Sequence, residues 1–295
     1  MTRLSSRHGV FALFVVQSIL FVVVHRYLTP VLGIGETWRL LLAAVISMIP
    51  FAAAGAVPLW GAQLQRRELP SWKAWIAIVS IITSASFILG LVIPLVLRAL
   101  GVSRPAGGAE VDTIALVPLL YVCVIGPILE EIAWRGVMMR VLLPYGRRTA
   151  IIISALFFAL MHHDLGQGIA AFVTGCILGY VALRYSLRAA IITHMVTNTW
   201  AQLSTELVGK HMVVTTVIVL LTITMMLIAI SAAIRFAWRS RRKLQSNEPR
   251  EVGMDGVTLL APVEQPHASW LATPAMWVLF VIEVSFVIAD LVAAR

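Results

Sequence analysis

Apolar stretches of roughly membrane-spanning length recur along most of this 295-residue chain, and they constrain its fold more than any other feature. A helix crosses the hydrocarbon core of a bilayer with about 20 consecutive apolar residues. Because the backbone in lipid must satisfy its own hydrogen bonds, only helices and closed barrels span a membrane, and long unbroken apolar runs favour helices. The sequence therefore predicts an all-α fold, specifically a polytopic transmembrane helical bundle.

The apolar stretches number eight, with a ninth candidate near the C-terminus. The eight cover residues 9–28, 40–59, 75–97, 113–137, 149–162, 168–183, 189–203 and 213–236. The fifth to seventh are short and carry polar residues, which is typical of helices buried against their neighbours. The ninth candidate, residues 274–293, contains Glu283 and Asp290 and fits either a span or a helix lying along the membrane interface.

Composition and charge agree with an integral membrane protein. The chain is 60% hydrophobic and 13% charged, with a mean hydropathy of +0.91, which excludes an ordinary soluble domain. With the N-terminus in the cytoplasm, most of the 23 basic residues fall on the cytoplasmic side. The net charge of +9 then reflects topology and contact with anionic membrane lipid, not nucleic acid. The high alanine and arginine content is typical of proteins from GC-rich prokaryotes, so we expect the membrane to be a prokaryotic plasma membrane.

We divide the chain into five parts on these grounds. Residues 1–112 form the N-terminal transmembrane helices, 113–205 the catalytic core, and 206–243 the eighth span with its basic end. Residues 244–272 form a polar cytoplasmic linker, and 273–295 a C-terminal hydrophobic helix. Cys123 and Cys176 both lie inside apolar runs, so we expect small buried side chains there and neither a disulfide framework nor a metal cluster.

Three ionisable residues lie close together inside the fourth apolar stretch: Glu130, Glu131 and Arg135. Each ionisable side chain at the bilayer centre costs about 2.5–3.5 kcal/mol even on lenient insertion scales. Glu131 and Arg135 are four residues apart and therefore face each other on a helix, which predicts an ion pair. Glu130 is then the freer carboxylate and a candidate general acid or base. The alternative is an ion-pair network that only fixes helix packing.

Two histidines and an asparagine accompany the carboxylates. His194 and Asn198 share one helix face, where they could donate hydrogen bonds to an oxyanion or simply join neighbouring helices. His162 follows Phe158 by one helical turn. Taken by itself, a histidine at the end of a helix is explained by a hydrogen bond at the membrane interface. His163 and Asp164, by contrast, are predicted to be solvated loop residues.

Together these side chains favour a shared, water-filled cavity, because they are costly to bury separately. A carboxylate with a histidine can activate water, while a second histidine with an amide can stabilise the tetrahedral intermediate, which suggests hydrolysis of an amide bond. Two histidines and one or two glutamates could also bind zinc. The chain has no His-Glu-x-x-His sequence, so we expect no cofactor, with zinc as the open alternative.

Three motifs in series resemble those of the CAAX protease and bacteriocin-processing enzyme family, which includes the type II CAAX prenyl endopeptidases. They are Glu130-Glu131-x-x-x-Arg135-Gly136, Phe158-x-x-x-His162 and His194-x-x-x-Asn198. The similarity covers roughly residues 125–200, and Trp134 stands where phenylalanine is common. It implies about eight helices around a conical cavity and a glutamate-dependent intramembrane endopeptidase.

The resemblance also implies roles for individual residues and a class of substrate. Glu130 and His162 would activate water, His194 and Asn198 would form the oxyanion site, and Glu131 with Arg135 would support them. The substrate would be a membrane-associated or lipidated protein or peptide, as in processing of prenylated proteins or in bacteriocin immunity.

The sequence is also compatible with two other functions. A catalytically inactive membrane scaffold or immunity-type protein could bind peptides or partners, although the complete motif set argues against it. A proton-coupled transporter could use Glu130 as a relay, but the chain lacks the inverted repeats of many transporters.

Overall fold

The computed structural model describes residues 7–53, 68–102, 116–245, 271 and 273–293, and within these ranges the chain forms nine helices and no strand. They are α1 (residues 7–31), α2 (36–53), α3 (Trp72–Ala99), α4 (116–145), α5 (Arg147–Leu160), α6 (Leu165–Arg184), α7 (Leu187–Leu207), α8 (Met212–Gln245) and α9 (Pro274–Ala293). Each predicted apolar stretch coincides with one helix, so the prediction of an all-α bundle is confirmed. Residues 54–59, 113–115 and 246–270, from two predicted spans and the linker, lie outside the described ranges.

Five of the nine helices, namely α1, α3, α4, α6 and α8, are long and apolar enough to cross a bilayer. Helices α2 and α9 contain shorter apolar segments, Trp38–Ala53 and Pro274–Ala289. Helix α5 has only 14 residues, and α7 is the more polar helix that carries His194 and Asn198. The chain is therefore an integral membrane protein whose shorter and more polar helices lie among longer apolar ones.

Helix α4 is irregular where it carries the two glutamates. Its backbone changes to π-helical turns on both sides of Gly126–Glu131, the short α-helical segment that holds Glu130 and Glu131. The segments of α4 are, in order, Leu116–Leu120, the π-turn Tyr121–Ile125, Gly126–Glu131, the π-turn Ile132–Met138, Met139–Leu142 and a final 3₁₀ turn Leu143–Tyr145. A π-helical turn redirects the side chains that follow it and occurs frequently at functional sites.

Helices α5, α6 and α7 follow one another through short turns with defined caps. Asp164 caps α6 by accepting a hydrogen bond from the Gln167 amide at 2.6 Å. Ser186 caps α7 in the same way, through the Ala189 amide at 3.1 Å. A side-chain carbon added at Gly168 would lie 3.1 Å from the Ala159 carbonyl oxygen of α5, so this glycine allows α5 and α6 to approach closely.

The buried core lies between α1, α4 and α5 and is rich in aromatic rings. Phe14 of α1 packs on Trp134 of α4 with ring centroids 4.5 Å apart. Met276 and Leu279 of α9 are buried in the same core. Helix α9 is thus packed into the bundle against α1, which places its residue Glu283 beside the N-terminal helix.

Candidate active site

The four residues predicted to act on the substrate line one cavity of about 610 Å³. Glu130 comes from α4, His162 from the turn after α5, and His194 and Asn198 from α7. Side chains of α1, α2 and α9 complete the wall, so the cavity extends beyond the predicted catalytic core. Glu131 and Arg135 are absent from the lining and lie behind it. The structure therefore separates the two adjacent glutamates, as helix geometry predicts.

Glu131 is fully buried at the centre of a network that it forms with Arg135 and His194, here called the supporting network. Its Oε1 atom accepts hydrogen bonds from Arg135 Nη1 at 2.8 Å and from His194 Nδ1 at 3.0 Å. Arg135 Nη2 also donates to the Gly175 carbonyl oxygen at 3.1 Å. The ion pair predicted from the spacing is present within α4. The hydrogen bonds of its two members to Gly175 and His194 link α4 to α6 and α7. Within the described parts of the chain, Glu131 Oε2 has no hydrogen-bond partner.

The Phe158 ring fills the space between the supporting network and the histidines. It contacts the Arg135 guanidinium at 4.6 Å and meets the rings of His162 and His194 edge-on, with centroids 4.9 and 6.0 Å away. Trp134, which departs from the family pattern, is buried against the edge of the same ring at 6.3 Å. These contacts restrict the orientation of both imidazoles.

Gly175→Ala is expected to destabilise the protein. The added carbon would lie 3.0 Å from Ala155 Cβ, 3.1 Å from Phe158 Cδ1 and 3.2 Å from Arg135 Nη2. Overpacking of this kind costs about 1–3 kcal/mol, more than the roughly 0.5–1 kcal/mol that alanine gains over glycine within a helix. Thermal unfolding in detergent measures the change. Gly90→Ala is the matched control, because no described atom lies within 4 Å of its added carbon; equal effects at both positions would contradict the expectation.

His162 is held in one tautomer by the backbone. Its Nδ1 atom lies 2.8 Å from the Phe158 carbonyl oxygen, which can only accept a hydrogen bond. Nδ1 must therefore carry the hydrogen, and in the neutral ring Nε2 keeps its lone pair. Because His162 lines the cavity, this nitrogen can accept a hydrogen bond from a water molecule.

His194 lies between the two glutamates. Nδ1 donates to Glu131 as described, and Nε2 stands 3.7 Å from Glu130 Oε2. Asn198, one turn further along α7, donates from Nδ2 to the Val122 carbonyl oxygen at 3.1 Å. Since a side-chain amide has two N–H donors, this contact fixes Asn198 and leaves its second hydrogen for another acceptor.

Tyr121 is a cavity residue that the sequence reasoning missed. A side-chain carbon at Gly126 would lie 3.6 Å from Tyr121 Cζ and 3.8 Å from Glu130 Oε1. The phenol and the carboxylate therefore both lie beside this glycine, and the tight approach that it avoids is one of 3.0 Å to the Tyr121 carbonyl oxygen. The available signal was the combination of a tyrosine and a glycine in the apolar run just before Glu130.

His163 and Asp164 lie in the loop before α6, as the sequence predicts, but His163 is not the solvated residue expected there. The His163 side chain is only 23% exposed, and Nε2 donates to Glu283 Oε2 at 2.7 Å. Asp164 caps α6, as described above. The solvation of His163 was predicted wrongly because its partner depends on packing: Glu283 of α9, 120 residues away, covers it.

No group of three or more His, Cys, Asp or Glu side chains in the described ranges is placed to hold a metal ion. The potential donors are instead engaged separately, His162 with a backbone carbonyl and His194 with Glu131. Cys123 is buried and Cys176 partly buried, and both are free thiols. Chelation is therefore the measurement that separates the metal-free and zinc mechanisms.

Residues 112–200 match a family model described as type II CAAX prenyl endopeptidase Rce1-like. The matched segment is less than a third of the chain, and it contains Glu130, His162, His194 and Asn198 as well as the Glu131–Arg135 pair. This match confirms the resemblance drawn from the three motifs. No curated protein and no solved structure matches the chain.

Proposed function

We propose that this chain, through its Rce1-like segment, is an intramembrane endopeptidase that hydrolyses a peptide bond of a membrane-associated or lipidated substrate. The observation that carries the proposal is the convergence of Glu130, His162, His194 and Asn198 on one cavity from three separate parts of the bundle. These are the group types that peptide hydrolysis requires, namely a base for water and donors for an oxyanion.

Glu130 and His162 activate the water in this mechanism. The Glu130 side chain is 20% exposed to the cavity, whereas Glu131 is 0% exposed, so a substrate or water can reach only the former. Glu130 removes one proton from water as the oxygen attacks the peptide carbonyl carbon. The same carboxyl then returns that proton to the leaving amine nitrogen. His162 Nε2 accepts a hydrogen bond from the water and orients it.

Asn198 and His194 donate hydrogen bonds to the carbonyl oxygen as it becomes negatively charged. The second N–H of Asn198 serves as one donor. His194 Nε2 can donate only when the ring carries both protons, because Nδ1 already donates to Glu131. Two carboxylates lie beside this ring and can compensate the charge of the imidazolium. Glu131 and Arg135 are thus supporting residues in this mechanism, which hold His194 in place.

The test is cleavage of a membrane-tethered reporter peptide by the purified protein in lipid vesicles, with and without a chelator. We expect an internal cut and a rate that stays within about twofold in the chelator, because none of the steps above uses a metal ion. Activity that is lost to chelation and restored by zinc would overturn the metal-free mechanism. Absence of cleavage with both prenylated and unmodified reporters would overturn the proposed function itself.

The location of the cavity among apolar helices supports a substrate that is held at the membrane. Since the site is built from membrane helices, a substrate held at the membrane by a lipid or an apolar segment reaches it most readily. Prenylated proteins and short peptides of the bacteriocin-immunity type both meet this requirement, and a comparison of tethered with soluble reporters tests it. An inactive scaffold, the alternative, would bind these peptides and release them uncut.

A further inference from the structure

Glu283 is a carboxylate in the C-terminal helix that the mechanism above does not use. Its side chain is 1% exposed, although it contributes to the cavity wall. Oε1 accepts a hydrogen bond from the Ser18 hydroxyl of α1, and Oε2 accepts one from His163 Nε2 at 2.7 Å. A buried carboxylate is costly unless it is paired, so these two partners explain how it is tolerated. Glu283 therefore joins three separate elements, α1, α9 and the turn after α5.

His163, the partner of Glu283, occupies an uncommon backbone conformation. Its φ is +55°, in the left-handed region that residues other than glycine seldom adopt. Such conformations persist where the surroundings fix them. Here the Glu283 hydrogen bond and the Phe286 ring, with its centroid 4.6 Å away, both come from α9. Helix α9 thus holds the left-handed turn in place.

The turn fixed in this way presents His162 to the cavity. His162 and His163 are adjacent, and their amides donate to the carbonyl oxygens of Ala159 and Leu160 at 3.2 and 3.0 Å. A change in the backbone at His163 would displace the His162 ring from its hydrogen bond with Phe158. Displacements of about 1 Å in a catalytic group can cost a hundredfold in rate.

We propose that Glu283 is a positioning residue for peptide hydrolysis, which acts through His163 to hold His162 at the cavity. This inference rests on the proposed function, but it extends beyond the segment that resembles known endopeptidases, because Glu283 lies outside residues 112–200. It gives the C-terminal helix a part in the active site that the motifs alone do not suggest.

The reporter assay tests the proposal with three variants, namely Glu283→Ala, Glu283→Gln and the control Glu206→Ala. Glutamine can accept from His163 and donate to Ser18, so it keeps both contacts, whereas alanine loses them. We expect Glu283→Ala to lower kcat about tenfold to a hundredfold with little change in KM, and Glu283→Gln to restore most of the rate. Glu206 pairs with Lys210 at 3.5 Å away from the cavity lining, so its removal should leave kcat unchanged.

Amide hydrogen exchange of the peptide that contains His162 and His163 reports on the turn without any activity. Glu283→Ala should accelerate exchange there about tenfold, while Glu283→Gln and Glu206→Ala should not. His163→Ala should match Glu283→Ala in both measurements, and the double variant should be no worse than either single one, because the two residues act in one chain of contacts.

Each result decides the proposal. Wild-type kcat in Glu283→Ala overturns it, as does a reduced kcat with unchanged exchange, which would make Glu283 act on the reaction directly. Additive effects in the double variant overturn the route through His163. If the wild-type protein cuts no reporter, the proposed function fails, while the exchange comparison still decides whether Glu283 holds the turn.

Discussion

Glu130→Gln is expected to lower kcat for reporter cleavage by about 10²–10⁴-fold, the usual contribution of a general acid–base residue. Glutamine has nearly the same shape as glutamate but cannot take a proton from water. Glu130 is partly exposed to the cavity, and the distance of 3.7 Å from its Oε2 atom to His194 Nε2 is longer than a hydrogen bond. The neutral side chain therefore disturbs little of the surrounding structure, and the loss should lie in the chemical step.

The measurement is steady-state kinetics of the purified variant beside its thermal unfolding. We expect KM and the unfolding temperature to stay near their wild-type values while kcat falls. Glu206→Gln is the matched control, since it makes the same chemical change at the end of α7 in a residue that does not line the cavity. A variant at Glu130 that keeps at least half of the wild-type kcat would remove this residue from the proposed mechanism.

Arg135→Met is expected to lower the free energy of unfolding by about 3–5 kcal/mol, the cost of removing one partner from a buried ion pair. The change leaves the Glu131 carboxylate buried with only His194 as a donor. It also removes the hydrogen bond to the Gly175 carbonyl oxygen and the contact with the Phe158 ring. The result should be a large loss of stability, accompanied by misplacement of His194.

Unfolding of the variants in one detergent measures this difference. Lys210→Met is the control, because the Lys210–Glu206 pair is also four residues apart but Lys210 is 48% exposed. Exposed pairs of this kind contribute about 0–1 kcal/mol. Glu131→Gln combined with Arg135→Met should recover part of the loss, since no buried charge then remains unpaired. Equal destabilisation by Arg135→Met and Lys210→Met would show that the buried pair carries no special weight.

The helices of this protein, and the residue pairs that lie within one helix, could be predicted from the sequence because both depend on patterns within a short stretch of chain. Apolar runs of suitable length located all nine helices of the described ranges, including the C-terminal one whose placement was left open. The spacing of four residues predicted the Glu131–Arg135 ion pair, and it also placed His194 and Asn198 on one face of α7. In each case the two residues lie within one helix, so their relative placement is fixed by the helix itself.

The contacts that complete the site join residues far apart in the chain, and no local pattern reveals them. Glu131 meets His194 across 63 residues, and His163 meets Glu283 across 120. The sequence showed that Glu283 is an acid in an apolar helix, but not which partner compensates its burial. The π-helical turns beside the glutamate pair were missed as well, because hydropathy does not distinguish them from α-helix.

Hydrolysis of a membrane-tethered reporter in ¹⁸O-labelled water is the most direct test of water activation by Glu130 and His162. We expect the wild-type protein to yield two fragments, with one labelled oxygen in the new C-terminal carboxylate, and Glu130→Gln and His162→Ala to yield neither at a comparable rate. Mass spectrometry of the products reads both the position of the cut and the label. Intact reporter with the wild-type protein, or wild-type amounts of labelled fragment from either variant, would contradict a water-activating site at Glu130 and His162.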